Sequence, residues 1–85
     1  MSYRIVITAT AIKERKRLDI ENRQRIDTAL KHLAEAARPP GTKKLAGSQN
    51  DWRIRVGNYR ILYEIDERND MITVWRIAHR RKAYR

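Results

Sequence analysis

Apolar and polar residues alternate most regularly in residues 52–63 (WRIRVGNYRILY), and this pattern predicts a β-hairpin. Gly57 and Asn58 separate the two alternating runs, and glycine at the first central position suits a two-residue type II′ turn. With Val56 opposite Tyr59, one face of the hairpin is apolar and is expected to face the core. The residues on that face are Trp52, Ile54, Val56, Tyr59, Ile61 and Tyr63.

The first half of the chain has the three- and four-residue spacing of apolar positions that is typical of helices. After a β-branched first strand at residues 3–8, a short helix is predicted from Ala11 to Leu18, with Thr8 or Thr10 as its N-cap. A longer helix is predicted to follow Asp19 and to end at residues 38–41 (RPPG), because proline interrupts helical hydrogen bonding. Its apolar positions are Ile26, Ala29, Leu30, Leu33, Ala34 and Ala37.

The remaining segments complete the predicted sheet. Residues 42–51 are predicted as a loop, residues 66–70 (DERND) as a polar turn, and Met71–Ala78 as a last strand that is apolar on both faces. The order of elements is then β-α-α-β-β-β. We therefore expect an α+β fold in which two N-terminal helices pack on one face of a mostly antiparallel four-stranded sheet.

Length and composition narrow the classes of protein to consider. Eighty-five residues suit a single domain spanning residues 1–85, and the absence of cysteine excludes disulfides and thiolate metal sites. With only His32 and His79, neither a metal site nor a cofactor is predicted. No apolar run approaches the roughly 18 residues of a membrane span, and the N-terminus lacks a signal-peptide pattern, so we expect a cytoplasmic protein without a membrane partner.

The chain is strongly basic, with 20 Lys and Arg against 10 Asp and Glu and a formal net charge of +10. Such a charge favours polyanionic partners, with nucleic acid first among them. From Trp52 onward, all the acidic residues lie between Glu64 and Asp70, so the basic hairpin and the basic tail are separated from them.

The predicted hairpin register places Arg53, Arg55 and Arg60 on the face opposite the core. Arg55 and Arg60 lie directly across from each other, where like charges repel. An anion between them relieves this repulsion, and a phosphate is the candidate. Lys43 and Lys44 of the preceding loop are candidates to extend the phosphate-binding surface.

Arg76 in the last strand is a further candidate phosphate ligand. The turn before this strand leaves its register open, so the face that carries Arg76 is not decided by the pattern. The alternative is a structural role in which Arg76 pairs with Glu64.

These residues together resemble the RelE/ParE superfamily of bacterial toxins, over essentially the whole chain. The resemblance rests on residues 43–47 (KKLAG), on residues 52–63, and on the closing residues 79–84 (HRRKAY). It implies a toxin that a cognate antitoxin holds inactive in a hetero-oligomer. The RelE branch implies a ribosome-dependent endoribonuclease that cleaves mRNA on the 70S ribosome, whereas the ParE branch implies action against DNA gyrase. A basic nucleic-acid-binding module without catalysis is a third possibility.

The resemblance to RelE also implies roles for individual residues. Arg60 corresponds to the arginine that steadies the scissile phosphate, Arg80 to the arginine proposed as general acid or leaving-group stabiliser, and Tyr84 to the C-terminal tyrosine near the nucleophile. Arg53 and Arg55 stand where the best-known member has lysines, and arginine is a poor proton acceptor. The candidate catalytic residues are Arg55, Arg60, His79, Arg80 and Tyr84. The residues expected to bind the RNA backbone are Lys43, Lys44, Arg53, Arg55, Arg76 and Arg81.

Overall fold

The computed structural model describes residues 2–82. These residues form β1 (Arg4–Ile7), α1 (Ala9–Lys16), α2 (Ile20–Glu35), β2 (Thr42–Lys44), β3 (Asp51–Val56), β4 (Tyr59–Asp66) and β5 (Met71–His79). The strands make one sheet in the order β1-β5-β4-β3-β2. β1 runs parallel to β5, and the other pairs are antiparallel. The predicted α+β class and mostly antiparallel sheet are confirmed.

The prediction of four strands was one strand short. The beginning of the predicted loop forms β2, which pairs with β3 through Thr42 opposite Ile54 and Lys44 opposite Trp52. Gly41, with a φ of +91°, turns the chain into this strand. Three residues are too few to show an alternating pattern, so only the pairing with β3 defines β2.

Both helices begin at side-chain caps. Thr8 caps α1, and its hydroxyl accepts a hydrogen bond from the backbone N–H of Ala11 at 3.2 Å. Asp19 caps α2 as predicted, with its carboxylate 3.5 Å from the backbone nitrogen of Asn22. α2 ends at Glu35, before the prolines, because Ala36 is already extended. Neither α1 nor α2 is long and apolar enough to cross a membrane.

The predicted register of the β3–β4 hairpin is confirmed, with Val56 opposite Tyr59 and Arg55 opposite Arg60. Gly57 has a φ of +59°, which the first central position of a type II′ turn requires. A Cβ atom at Gly57 would also lie 3.3 Å from the Nη1 atom of Arg25. The turn therefore favours glycine both for its backbone conformation and for the approach of α2.

The helices cover one face of the sheet and form the core with it. The core includes Ile26, Leu30 and Leu33 from α2 and Ile54, Ile61, Tyr63, Ile65, Ile72, Val74 and Ile77 from the sheet. Tyr63 is fully buried, and its hydroxyl donates a hydrogen bond to the carbonyl oxygen of Ala37 at 2.8 Å. Burial raises the pKa of Tyr63. This bond ties the segment after α2 to the middle of the sheet.

Two carboxylates attach α1 to its neighbours. Asp27 of α2 accepts two hydrogen bonds of 2.7 Å from Arg15, which lower the pKa of Asp27. Glu14 lies beside the part of β5 that extends past β1, where it accepts from the backbone nitrogen of Ile77 at 2.8 Å and from Nε of Arg76 at 3.1 Å. The predicted alternative of a pair between Arg76 and Glu64 was therefore wrong about the partner, because the sequence does not show which helix reaches the edge of β5.

Candidate nucleic-acid interface

The face of the sheet opposite the helices carries most of the predicted basic site, and we refer to it as the arginine face. Cross-strand pairing arranges its side chains in three rows. The first row is Arg55, Arg60 and Ala78; the second is Lys43, Arg53, Leu62 and Arg76; the third is Asp51, Glu64 and Thr73. Leu62 and Ala78 are buried but lie outside the core cluster, as expected for residues on this second face.

Arg53 and Arg60 are buried although they lie on the face of the sheet that the helices do not cover. Each is only 8% exposed. Within residues 2–82, neither arginine forms an ion pair. Nη1 of Arg60 donates to the carbonyl oxygens of Tyr59 at 2.9 Å and Gly57 at 3.4 Å, which leaves its other guanidinium nitrogens available. A buried cation without a counter-ion is unfavourable, so this pair of arginines favours a bound anion.

Of the other predicted phosphate ligands in the strands, Arg55 and Lys43 suit an anion on the arginine face better than Lys44 and Arg76 do. Arg55 is exposed and lies opposite Arg60, and Lys43 lies opposite Arg53, so both belong to the arginine face. Lys44 lies opposite Trp52 and therefore points to the other side of the sheet. Arg76 lies in the second row, but its Nε is bound to Glu14, which reduces the positive charge that it offers to an anion.

The end of β5 brings the first tail residues next to the hairpin turn. The backbone N–H of Arg80 donates to the carbonyl oxygen of Asn58 at 2.8 Å. The N–H of Arg81 donates to Nδ1 of His79 at 3.3 Å, and the side chains of Arg80 and Arg81 are exposed. Tyr84, the predicted tyrosine near the nucleophile, lies outside the described residues.

His79 lies away from the arginines. It is opposite Tyr59 in the β4–β5 ladder, on the helix-covered face, and the two rings meet edge to face with centroids 5.5 Å apart. Its Nδ1 already accepts the hydrogen bond from Arg81. The fold thus brings together Arg53, Arg55, Arg60 and Lys43, but it does not bring His79 to them.

A β-bulge on β5 was not predicted from the sequence. Leu62 pairs with Arg76 and Tyr63 pairs with Val74, so Trp75 is an extra residue in the ladder. The strand is apolar on both faces, and its pattern therefore does not reveal the bulge or the face of Arg76. Together with the third row, Trp75 lines a cavity of about 410 Å³ on the arginine face.

A larger groove, of about 640 Å³, runs between α2 and β3. Arg25 and His32 line it from α2, and Arg55 and Val56 line it from β3. Arg55 thus borders the groove, although its place in the ladder is on the arginine face. Within residues 2–82, no three His, Asp or Glu side chains lie close enough together to hold a metal ion.

The model of the family described as ParE toxin of type II toxin-antitoxin system, parDE, matches residues 5–84. The chain belongs to the ParE toxin family. The present chain shares 30% sequence identity with a chain in the crystal structure of the RelB-RelE antitoxin-toxin complex from Methanococcus jannaschii. The match covers 93% of the present chain and 94% of that chain, with a TM-score of 0.77. The resemblance to the RelE/ParE superfamily predicted from the sequence is confirmed.

Two further relatives add to this picture. Toxin RelE3 of Methanocaldococcus jannaschii is 48% identical over 42 residues, which are 49% of this chain and 46% of that protein, so the match spans less than half of that relative. The archaeal RelE-RelB complex from Pyrococcus horikoshii OT3 contains a chain of the same fold, with a TM-score of 0.85. That likeness covers 98% of this ParE-family chain and 100% of the other at 24% identity, and it shows the fold alone.

Proposed function

We propose that this chain is the toxin of a type II toxin-antitoxin pair and that it acts as a ribosome-dependent endoribonuclease on mRNA in the ribosomal A site. Membership of the family and the RelE relatives support the first part. The observation that carries the second part is the enclosed Arg60, which lies opposite Arg55, has no carboxylate partner within residues 2–82, and keeps guanidinium nitrogens available for an anion.

The arginine pair suits a phosphodiester. Residues directly opposite each other in an antiparallel pair have Cβ atoms about 4.5–5.5 Å apart, so Arg55 and Arg60 can bind the two non-bridging oxygens of one phosphate. The carbonyls of Tyr59 and Gly57 orient the Arg60 guanidinium before RNA binds. Such preorganised cations stabilise the extra negative charge that develops on the phosphate in the transition state.

The reaction that fits this site uses a nucleophile from the RNA itself. The 2′-oxygen forms a bond to phosphorus while the bond from phosphorus to the 5′-oxygen breaks, and the products are a 2′,3′-cyclic phosphate and a 5′-hydroxyl. The 2′-hydroxyl gives its proton to a base, and the leaving oxygen gains one from an acid. We assign the leaving oxygen to Arg80 and the 2′-hydroxyl to Tyr84, since His79 lies on the other face. Because the nucleophile is a hydroxyl of the RNA, the step requires no metal-bound water.

This chain offers strong phosphate binding but a weak base, so its catalytic power on free RNA is expected to be low. A ribosome that holds the mRNA with the 2′-hydroxyl in line with phosphorus supplies the missing orientation. For well-aligned reactions, orientation is worth about 7–11 kcal/mol. This division of labour is the physical reason for the proposed dependence on the ribosome.

The test compares mRNA positioned in the decoding site of 70S ribosomes with the same mRNA free in solution. The purified chain should cut the ribosome-bound RNA and leave the free RNA nearly intact, and the fragments should carry cyclic phosphate and 5′-hydroxyl ends. Arg80→Ala should reduce cleavage strongly, while the exposed Arg68→Ala in the acidic turn serves as the charge-matched control. Equal cleavage of free and bound RNA would contradict the role given to the ribosome.

Inhibition of DNA gyrase is the second candidate function, because the family model that matches the chain is that of a ParE toxin. A supercoiling assay with purified gyrase separates the two candidates. Unchanged mRNA on the ribosome together with inhibited supercoiling would replace the endoribonuclease proposal.

The proposed partner of the toxin is an acidic antitoxin segment that folds on this basic surface. The net charge of +10 predicts fast association steered by electrostatics. The affinity should fall as salt rises, measured as the Kd for the cognate antitoxin across a salt series, and a Kd that is independent of salt would contradict this electrostatic account.

A further inference from the structure

Trp75 has a special position next to the phosphate-binding rows of the arginine face. It lines a cavity with Asp51, Glu64 and Thr73, which form the third row. Along β3 and β4, this row is two residues from the row that contains Arg53, which corresponds to roughly 7 Å. A nucleotide whose phosphate binds Arg53 can therefore reach the cavity with its base.

The bulge gives Trp75 this position. As the extra residue opposite Leu62 and Tyr63, Trp75 has no partner in the ladder, and a bulge of this kind redirects side chains and is common beside functional sites. The indole Nε1 atom is enclosed and has no acceptor within residues 2–82. Nε1 is therefore not one of the atoms that Trp75 presents to the cavity, and the half-buried side chain lines it with its other atoms.

A flat aromatic side chain beside a row of cations is the arrangement that binds single-stranded nucleic acid. The cations hold the backbone, and the ring stacks on a base. Two carboxylates line the same cavity. Asp51 accepts a hydrogen bond of 2.7 Å from the Ser48 hydroxyl through Oδ2, and the exposed Glu64 forms no ion pair within the described residues. Carboxylates accept N–H groups, and they repel carbonyl oxygens.

We propose that Trp75 is the platform on which one base of the bound RNA stacks, and that Asp51 and Glu64 select a base with an exocyclic amino group over uracil. This inference rests on the proposed function in one respect, since it requires RNA on the arginine face. It concerns the binding of a base and not the cleavage step, so the two are tested separately.

The first experiment measures binding of 2′-O-methyl tetranucleotides, which cannot be cleaved because the attacking hydroxyl is blocked. The Kd is measured for tetra-adenylate and for an abasic chain with the same backbone. Because a base gains affinity by stacking on an aromatic side chain, Trp75→Leu should weaken tetra-adenylate binding about ten-fold and leave abasic binding nearly unchanged. Trp75→Phe should restore most of the loss. Thermal unfolding of each variant shows whether it is folded.

The result that would overturn the stacking role is an equal effect of Trp75→Leu on the base-containing and the abasic chain. An unchanged Kd for tetra-adenylate would overturn it as well, as would the absence of binding by the wild type at low salt. Should the leucine variant fail to fold, the phenylalanine variant decides. It must keep the preference for tetra-adenylate over the abasic chain, and loss of that preference would contradict a platform that any aromatic ring can provide.

The second experiment tests the choice of base through the ratio of the Kd values for tetra-uridylate and tetra-cytidylate. The wild type should prefer cytidylate about ten-fold, because the cytosine amino group donates where uracil presents an oxygen. Glu64→Gln should reduce this ratio several-fold. Asp70→Asn removes the same charge outside the cavity and should change both Kd values together. A ratio near one in the wild type, or an unchanged ratio in Glu64→Gln, would overturn the role of the carboxylates.

The outcomes separate this inference from the proposed function. Cleavage of ribosome-bound mRNA together with binding that ignores the base would overturn the stacking site and leave the endoribonuclease in place. Binding that depends on the base and on Trp75, without any cleavage, would support the stacking site and contradict the endoribonuclease.

Discussion

Arg60 and Ile61 are consecutive residues of β4 that are almost equally buried, with exposures of 8% and 0%. Ile61 lies in the hydrophobic core under the helices. Arg60 lies on the arginine face, opposite another arginine, with only backbone carbonyls as partners for its guanidinium within residues 2–82. One face of the strand is thus arranged for stability, and the other keeps a combination of charges that folding alone does not favour. Such exceptions are expected where function determines the residues.

Arg15 in the helix layer also differs from the arginines of the arginine face in its partners. Arg15 is bound by Asp27 with two hydrogen bonds, whereas Arg53 and Arg60 have no carboxylate partner within residues 2–82. The chain contains enough acidic residues to pair with them, but those residues lie in the helix layer, in the third row and at the turn between β4 and β5. The difference indicates that the arginine face is kept available for an external anion.

The largest effect is expected on the helix-covered face. Ile61→Ala should lower the free energy of unfolding by about 2–5 kcal/mol, because it leaves a cavity in a fully buried site. Urea unfolding measures the change, and Ile12→Ala, at an exposed position of α1, is the control and should change stability by less than about 0.5 kcal/mol. Equal effects of the two substitutions would contradict the position of the core.

The neighbouring substitution on the arginine face should act on activity and not on folding. Arg60→Ala should reduce cleavage of ribosome-bound mRNA at least about 100-fold, by analogy with the removal of one preorganised transition-state donor. Its free energy of unfolding should stay within about 1 kcal/mol of the wild type, because lost packing is offset by relief of the repulsion with Arg55. Arg68→Ala is the control in both assays. Severe destabilisation by Arg60→Ala would make Arg60 a structural residue.

The buried hydroxyl of Tyr63 should have an intermediate effect. Tyr63→Phe removes the hydrogen bond to Ala37 and should cost about 1–2 kcal/mol, while Tyr59→Phe should cost less. Burial raises the pKa of Tyr63, so the folded state holds this proton more tightly than the unfolded chain. The resulting stability is complete below the usual tyrosine pKa of about 10 and is lost as the pH rises through the folded value. The free energy of unfolding, measured from pH 8 to 11, should therefore fall more steeply with pH in the wild type than in Tyr63→Phe.

The smallest effect is expected from the partly exposed pair between the helices. Asp27→Asn should cost less than about 1 kcal/mol, because solvent screens the pair. The hydrogen bonds from Arg15 lower the pKa of Asp27, so the contribution is present above the usual aspartate pKa of about 3.9 and is lost as the pH falls through the folded value. The difference between wild type and variant should shrink in acid, and a difference that grows in acid would contradict the pair.

The sequence by itself determined the features that depend on local chemistry. The register of the β3–β4 hairpin follows from a period of two and from a turn that requires glycine at residue 57, so the opposition of Arg55 and Arg60 was predictable. The cap at Asp19 and the amphipathic pattern of α2 were predictable for the same reason. The resemblance to RelE/ParE toxins rested on these same local motifs.

Only the tertiary structure decided the features that depend on which distant segments meet. β2 is defined by its pairing with β3, and the partner of Arg76 is defined by the approach of α1 to the edge of β5. The bulge at Trp75 shifts the alternation of β5, so that Arg76 lies on the arginine face and His79 on the other. None of these contacts changes the spacing of apolar residues along the chain, and for that reason the pattern carries no record of them.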